Sequence, residues 1–407
     1  METSKGKQTA KRIGGDLLYS IAGVAFFNII LQFIIYPYVS AKIGSAQFGD
    51  MLFLLAVVNI IAPSFGNAVN NTRMVLPERE KTENGDYMLI LSCFTTVTAI
   101  VCLVISLIRG LSVIGGVLLF AVSVLTMFRF YANVEYRLNL EFKKQLVFYI
   151  LLGVGYLVGV VPFLLSGRWE WIFMTGELLA VLCVVISGGI FRKCGKTSER
   201  RREIAGNAVT LAGSYLLTNL MLMLDRFVLL YFVDSSAVSE YYVLSLLGKT
   251  VAIIGIPLNS IIIGYLTKGS KSMDRPLYRK SVLGLLILAI LFTAVCGGLT
   301  PVYIRLMYPA LFAEMKDIIV LAFIVSLAQI LYFVTNILLV IILTFVKAKW
   351  QLIIQVVYAA VFIASAIGMT LMWEIRGFAY AAVISSSIYF LMTLIVGSRH
   401  IHIEEEL

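Results

Sequence analysis

The chain has 407 residues, 60% of them hydrophobic and only 14% charged, with a formal net charge of +10. Soluble domains carry about 45–50% apolar and about 25% charged residues, so this composition excludes a water-soluble fold. A basic chain suggests nucleic acid, but here Lys and Arg follow loop position between apolar runs, which excludes that partner as well.

A bilayer crossing needs about 20 apolar residues. Lys5, Lys7, Lys11 and Arg12 precede an apolar run from Leu17 to Tyr38, which is too long for a signal-peptide core and reads as a retained anchor. In chain order the predicted spans are 16–38, 48–71, 87–108, 111–133, 145–166 and 171–191, then 207–232, 241–266, 281–304, 318–346, 351–373 and 377–397. The N-terminus and its same-side loops hold 25 of the 33 basic residues, the opposite side holds six, and Arg226 and Lys249 fall inside spans. That bias predicts a multi-pass cell-membrane protein with both termini cytoplasmic. Trp169, Trp171 and Trp373 near outer ends and Trp350 near an inner end fit the aromatic belts. Six spans per half give both halves one orientation. The expected fold is therefore all-α and polytopic, with about twelve transmembrane helices in two parallel six-helix lobes. These are residues 1–191 and 207–407, the second ending in a short cytoplasmic tail, joined by a basic cytoplasmic linker at 192–206.

Pro63 and Pro257 occupy matching places in the second and eighth spans, and Asn28 falls near Asn219 in the same alignment of halves. Proline removes a backbone donor, so a spanning helix carries it where neighbours or a hydrated cavity accept the freed carbonyl. Interrupted segments at corresponding places point to a transport site with hinges.

Asp225 and Arg226 in the seventh span and Lys249 in the eighth lie at similar distances from the connecting hairpin. A charge near the bilayer centre costs at least about 2.5–3.5 kcal/mol, so such groups face a partner or a cavity. Two readings stay open. Asp225 and Lys249 pair to hold two helices while Arg226 snorkels outward, or one surplus cation faces a cavity and takes an anionic headgroup. Glu177 in the sixth span is either a proton-coupling acid or a side chain reaching the outer headgroups, and Asp225 is the other acid available for ion coupling. Asn28, Gln32, Asn219 and Asn259 either line a hydrated cavity suited to sugar hydroxyls or bond helix to helix. The tract Phe128-Arg129-Phe130-Tyr131 reads as an inner-interface anchor. The five cysteines have no metal or disulfide spacing, no nucleotide or hydrolase motif occurs, and no metal or other cofactor is expected.

Two tracts carry a resemblance. One runs from Asn28 into Ala41-Lys42-Ile43-Gly44-Ser45-Ala46-Gln47-Phe48-Gly49-Asp50, and the other is Leu224-Asp225-Arg226-Phe227-Val228-Leu229 followed by Val238-Ser239-Glu240-Tyr241-Tyr242. Both are similar to the turn and charge patterns of the Wzx-type polysaccharide flippases of the multidrug/oligosaccharidyl-lipid/polysaccharide exporter superfamily. Gln47 stands where an acid is common, and Ser239-Glu240 replaces a glycine region. The resemblance implies two lobes around a central cavity and alternating access driven by an ion gradient or the membrane potential. It also implies transfer of undecaprenyl-diphosphate-linked oligosaccharide units from inner to outer leaflet. The implied partners are that anionic glycolipid, membrane lipids, and the polymerase and glycosyltransferases of the same pathway. Arg226, Lys249 and Asp225 would meet the diphosphate while the amides meet the glycan.

A multidrug or small-molecule antiporter of the same superfamily is the main alternative, although the deep charges lean basic. A membrane-embedded polysaccharide polymerase is a third reading, but the first outer loop, 40–48, contains no acid. A transporter rather than an enzyme is expected.

Overall fold

The computed structural model describes residue 15 and residues 18–76, 81–251, 275–345 and 348–400. The regular elements among them are helices. They are α1 (Leu18–Ile43), α2 (Ser45–Val75), α3 (Asn84–Ile108), α4 (Val113–Leu138), α5 (Phe142–Ser166) and α6 (Glu170–Ser187). Then come α7 (Arg201–Leu222), α8 (Leu224–Phe232), α9 (residues 235–251), α10 (Arg275–Met307), α11 (Pro309–Glu314), α12 (Leu321–Phe345) and α13 (Ala348–His400).

The protein is an all-α, multi-pass membrane protein. Among the described residues nine helices are long and apolar enough to cross a bilayer, or ten if α7 and α8 form one broken span. The helix α13 doubles back at Trp373 and Glu374, where Glu374 adopts φ 52°, so it supplies the eleventh and twelfth predicted spans. Gly377 permits that turn, since a Cβ there would lie 1.9 Å from the Met369 carbonyl oxygen. The eighth span is α9 as far as Val251; its remainder, with Pro257 and Asn259, lies outside the described residues. Outward faces are apolar, as on α3, where Ile100, Leu103 and Leu107 are 58%, 60% and 73% exposed. Such contiguous surface is tolerated against lipid. By contrast, 83% of the most apolar stretch of α2 is buried, so this helix is surrounded by protein.

The chain forms two compact units. The first comprises residues up to Val39 with Leu54–Met223, and the second Ser40–Phe53 with Leu224 onward. The chain therefore passes between units three times, after Val39 inside α1, after Phe53 inside α2, and after Met223, which breaks the seventh span with φ −106° and ψ 6°. Within the basic tract, α7 begins at Arg201.

In the first unit α5 and α6 approach to backbone contact. A Cβ at Gly155 would sit 2.6 Å from the Gly176 Cα, and one at Gly159 would sit 2.6 Å from the Ile172 Cα. Gly155 and Gly159 are four apart, the small-residue spacing that lets membrane helices pack closely where no hydrophobic force drives them together.

The loops of the first unit sort to two ends. At one end Arg168 Nη2 donates to Ser112 Oγ at 3.1 Å, joining the loop before α6 to the loop before α4. At the other, residues 189–198 are strapped down. The backbone N–H groups of Gly189 and Ile190 donate to the two Glu135 oxygens, each at 3.1 Å. Asn84 Nδ2 donates to the carbonyls of Gly189 (3.0 Å) and Arg192 (2.7 Å). The Asp86 carboxylate caps α3 through Glu83 N–H and also accepts Ser198 N–H at 2.8 Å. Arg73 locks the anchor residue by donating to Asn84 Oδ1 (2.7 Å) and to Tyr131 Oη (2.6 Å).

Candidate functional site

Polar side chains gather in the interior of each unit. In the second unit, Asp225 opens the first turn of α8, where a carboxylate meets the positive end of the helix dipole. Lys249 on α9 donates to Asp225 Oδ2 at 2.6 Å, and the pair is protein-enclosed, with 28% of the lysine and 8% of the aspartate side chain exposed. Asp225 Oδ1 is buried without a hydrogen-bond partner. The second cation, Arg226, is 7% exposed. Its Nη1 donates to the Leu52 carbonyl on α2 at 3.1 Å, and the guanidinium lies 5.5 Å from the centre of the Tyr242 ring. Its Nε is buried and unbonded. Around this group, Tyr241 is 2% exposed and packs edge-on against Phe378 of α13, with ring centres 4.8 Å apart. α9 reaches α12 closely because position 248 is glycine; a Cβ there would lie 2.8 Å from the Gln329 Cβ.

The three deep charges predicted from the hairpin are therefore brought together within one unit. Asp225 and Lys249 form a pair, and Arg226 does not snorkel: it turns inward onto a carbonyl and an aromatic face. Lys249 pairs with the carboxylate while Arg226 bonds elsewhere, and two of the polar atoms in the cluster, Asp225 Oδ1 and Arg226 Nε, have no hydrogen-bond partner.

In the first unit, Glu177 of α6 is 2% exposed and does not reach a headgroup region. It accepts a hydrogen bond from Arg129 Nε at 2.5 Å and one from Tyr156 Oη at 3.1 Å. Arg129 is thus not an interfacial anchor or a loop cation. It lies in α4, 7% exposed, with its guanidinium 4.3 Å from the Phe130 ring centre, and Tyr131 of the same tract is fully buried. Beside it, Asn70 donates to the Phe130 carbonyl at 2.9 Å. Gln145 donates to Asn133, which donates to Tyr149.

The amides divide. Asn28 donates to its own helix at Val24, 2.8 Å away, the local use that a single amide favours. Gln32 lies in a π-helical stretch, Ile30–Ile35, within α1. Such wide turns recur at functional sites, and the apolar sequence around Gln32 carries no signal for one. Asn219 of α7 donates to Ser64 at 2.9 Å, and one turn earlier Tyr215 accepts from Asn71, so a polar seam joins α7 to α2 just past Pro63. Pro63 lies inside α2 and is buried. Among the described residues no group of three or more His, Cys, Asp or Glu side chains is placed to hold a metal ion.

Arg129, Tyr156 and Tyr242 were not legible as site residues. A signal existed for Arg129: the chain continues without a polar break to Tyr131, so an arginine three residues before Ala132 is still inside the helix.

No protein-family model matches the sequence, and no curated protein matches it. Solved structures do. A multidrug resistance MATE family transporter of the MOP superfamily, inward-facing, aligns over 96% of this chain and 96% of its own, with TM-score 0.65 and 12% identity. The lipid II flippase MurJ in an inward closed conformation aligns over 93% of this chain and 87% of its own, with TM-score 0.63 and 12% identity. The bent form of the Vibrio cholerae MATE transporter VcmN aligns over 97% of both chains, with TM-score 0.55 and 13% identity. The class is thereby defined: a polytopic all-α membrane fold of twelve helices in two six-helix lobes. More particularly, it is the fold shared by MATE transporters and MurJ.

Proposed function

We propose that the protein is a flippase that carries a lipid-linked, diphosphate-bearing oligosaccharide from the inner to the outer leaflet, for surface polysaccharide assembly. The observation that carries this reading is the cluster of Arg226, Lys249 and Asp225, in which a buried arginine adds a second cation next to the part-buried Lys249–Asp225 pair. A diphosphate supplies the missing negative charge and accepts from the unmatched guanidinium N–H, an interaction to which arginine geometry is suited. MurJ, named as a lipid II flippase, shares the fold, which supports a lipid-linked cargo here. The fold has been solved in inward- and outward-facing forms of a MATE transporter, which supports alternating access here. We place the protein in the cell membrane with cytoplasmic termini, in the company of glycosyltransferases and a polymerase, and assign it transport rather than catalysis. Asn28, Gln32, Asn219 and Asn259 are proposed to meet the glycan, and Pro63 and Pro257 to act as hinges.

A second reading, an ion-coupled multidrug antiporter, draws on the MATE likeness, with Glu177, which is bonded to Arg129 and Tyr156, as the proposed coupling acid. Depletion in the native host separates the two. The flippase reading expects completed lipid-linked repeat units to accumulate on the inner leaflet with unchanged drug sensitivity. Normal surface polysaccharide together with raised drug sensitivity would overturn it.

A further inference from the structure

We propose that the second unit holds an anionic phospholipid in the cleft between the start of α10 and the end of α13, a site independent of the transport reading. The cleft encloses about 690 Å³. The exposed Arg279, Ser398 and Arg399 stand at its mouth and the buried or part-buried Val282, Leu286 and Leu394 line its wall, with no carboxylate among the described lining residues. Both arginines are exposed at the mouth.

Tyr278 Oη donates to the Leu394 carbonyl at 3.4 Å across the two helices. Gly397 allows that contact, since a Cβ there would lie 2.0 Å from the tyrosine hydroxyl. The walls then run from Arg279 to Leu286, about 10 Å at 1.5 Å per residue, which spans headgroup depth and the upper acyl region. Two guanidinium forks above apolar walls match a phosphate ester followed by methylenes. A pocket within the usual range of about 300–1,000 Å³ takes a phosphate headgroup and the first part of one chain, with the rest in the bilayer. A multi-sugar headgroup finds no enclosed space there, so the charge and shape favour a simple glycerophospholipid over a glycolipid.

The test uses the purified full-length protein and native mass spectrometry of retained lipid, with phosphatidylglycerol and phosphatidylcholine as probes. Wild type is expected to hold phosphatidylglycerol about 30-fold more tightly than the Arg279→Gln/Arg399→Gln variant, the effect of two basic groups at an anionic surface. Phosphatidylcholine retention should be equal in both. Leu286→Trp, which fills the cleft, should lower retention of either lipid while thermal unfolding in detergent stays unchanged. The exposed pair Arg201→Gln/Arg202→Gln, outside the cleft, should leave phosphatidylglycerol binding at the wild-type value. Equal phosphatidylglycerol binding by wild type and the Arg279/Arg399 variant overturns the proposal, as does an equal loss in the Arg201/Arg202 control. Displacement of phosphatidylglycerol by an equimolar lipid-linked oligosaccharide also overturns it, by assigning the cleft to transported lipid.

Discussion

Replacing Glu177 by Gln leaves the Arg129 guanidinium buried without an opposing charge. The two side chains are 9% and 3% exposed, so solvent screens little of their interaction. Removing one member of such a pair costs about 3–5 kcal/mol, because the stranded charge keeps its desolvation penalty. Removing both, as Arg129→Met/Glu177→Leu, eliminates that penalty and leaves only the Tyr156 hydroxyl without its acceptor, about 1–3 kcal/mol. Adding Tyr156→Phe removes the orphan in turn. Buried cysteines report each unit separately: Cys102 at 2% exposure in the first and Cys296 at 4% in the second. Thermal unfolding followed by thiol labelling of single-cysteine variants is therefore the assay. For a unit of this size each kcal/mol shifts the midpoint by about 2–4 °C, so Glu177→Gln should lower the Cys102 midpoint by about 6–20 °C. The double variant should recover part of that loss and the triple most of it. A Glu177→Gln protein that melts with wild type, or a double variant that melts below the single one, would refute the assignment of a structural ion pair.

Other changes probe other parts of the molecule. Lys249→Met strands Asp225, one of whose oxygens already lacks a partner, and should destabilise by about 3–5 kcal/mol; the swap Asp225→Lys/Lys249→Asp should regain stability in denaturant titrations without regaining export. Gly159→Leu forces apart helices in backbone contact and should cost at least about 1–3 kcal/mol, read as a lower unfolding temperature, whereas Gly195→Leu, which meets no atoms within 4 Å, should not. Glu135→Gln weakens the two backbone bonds that hold Gly189 and Ile190, and limited trypsin digestion should cut among Arg192–Arg202 about tenfold faster as local opening becomes easier.

The spans and their order were legible because a bilayer imposes one length on every crossing, and Asp225 and Lys249 could be matched by counting residues from a single hairpin. Both are local properties of the chain. Arg129 and Glu177 are 48 residues apart on helices that are not consecutive, and an arginine near the end of a span looks the same whether it turns to water or to a partner. The basic residues of 192–206 are visible in the sequence, whereas the acceptors that pin 189–198, Glu135 of α4 and Asp86 of α3, belong to helices far away in the chain. The passage between units at Met223 has no proline or glycine to announce it. It depends on which neighbours α7 and α8 pack against.

On the proposed function, Arg226 and Lys249 of the second unit engage a phosphate-bearing lipid as it crosses the bilayer. Reconstituted proteoliposomes loaded with a fluorescent, diphosphate-linked oligosaccharide lipid, with dithionite added outside, measure this directly. Wild-type protein should expose the inner-leaflet fraction to the quencher, and a stably folded Arg226→Gln protein should not. Unchanged flipping by Arg226→Gln, with its fold verified by the same melting assay, would contradict the account.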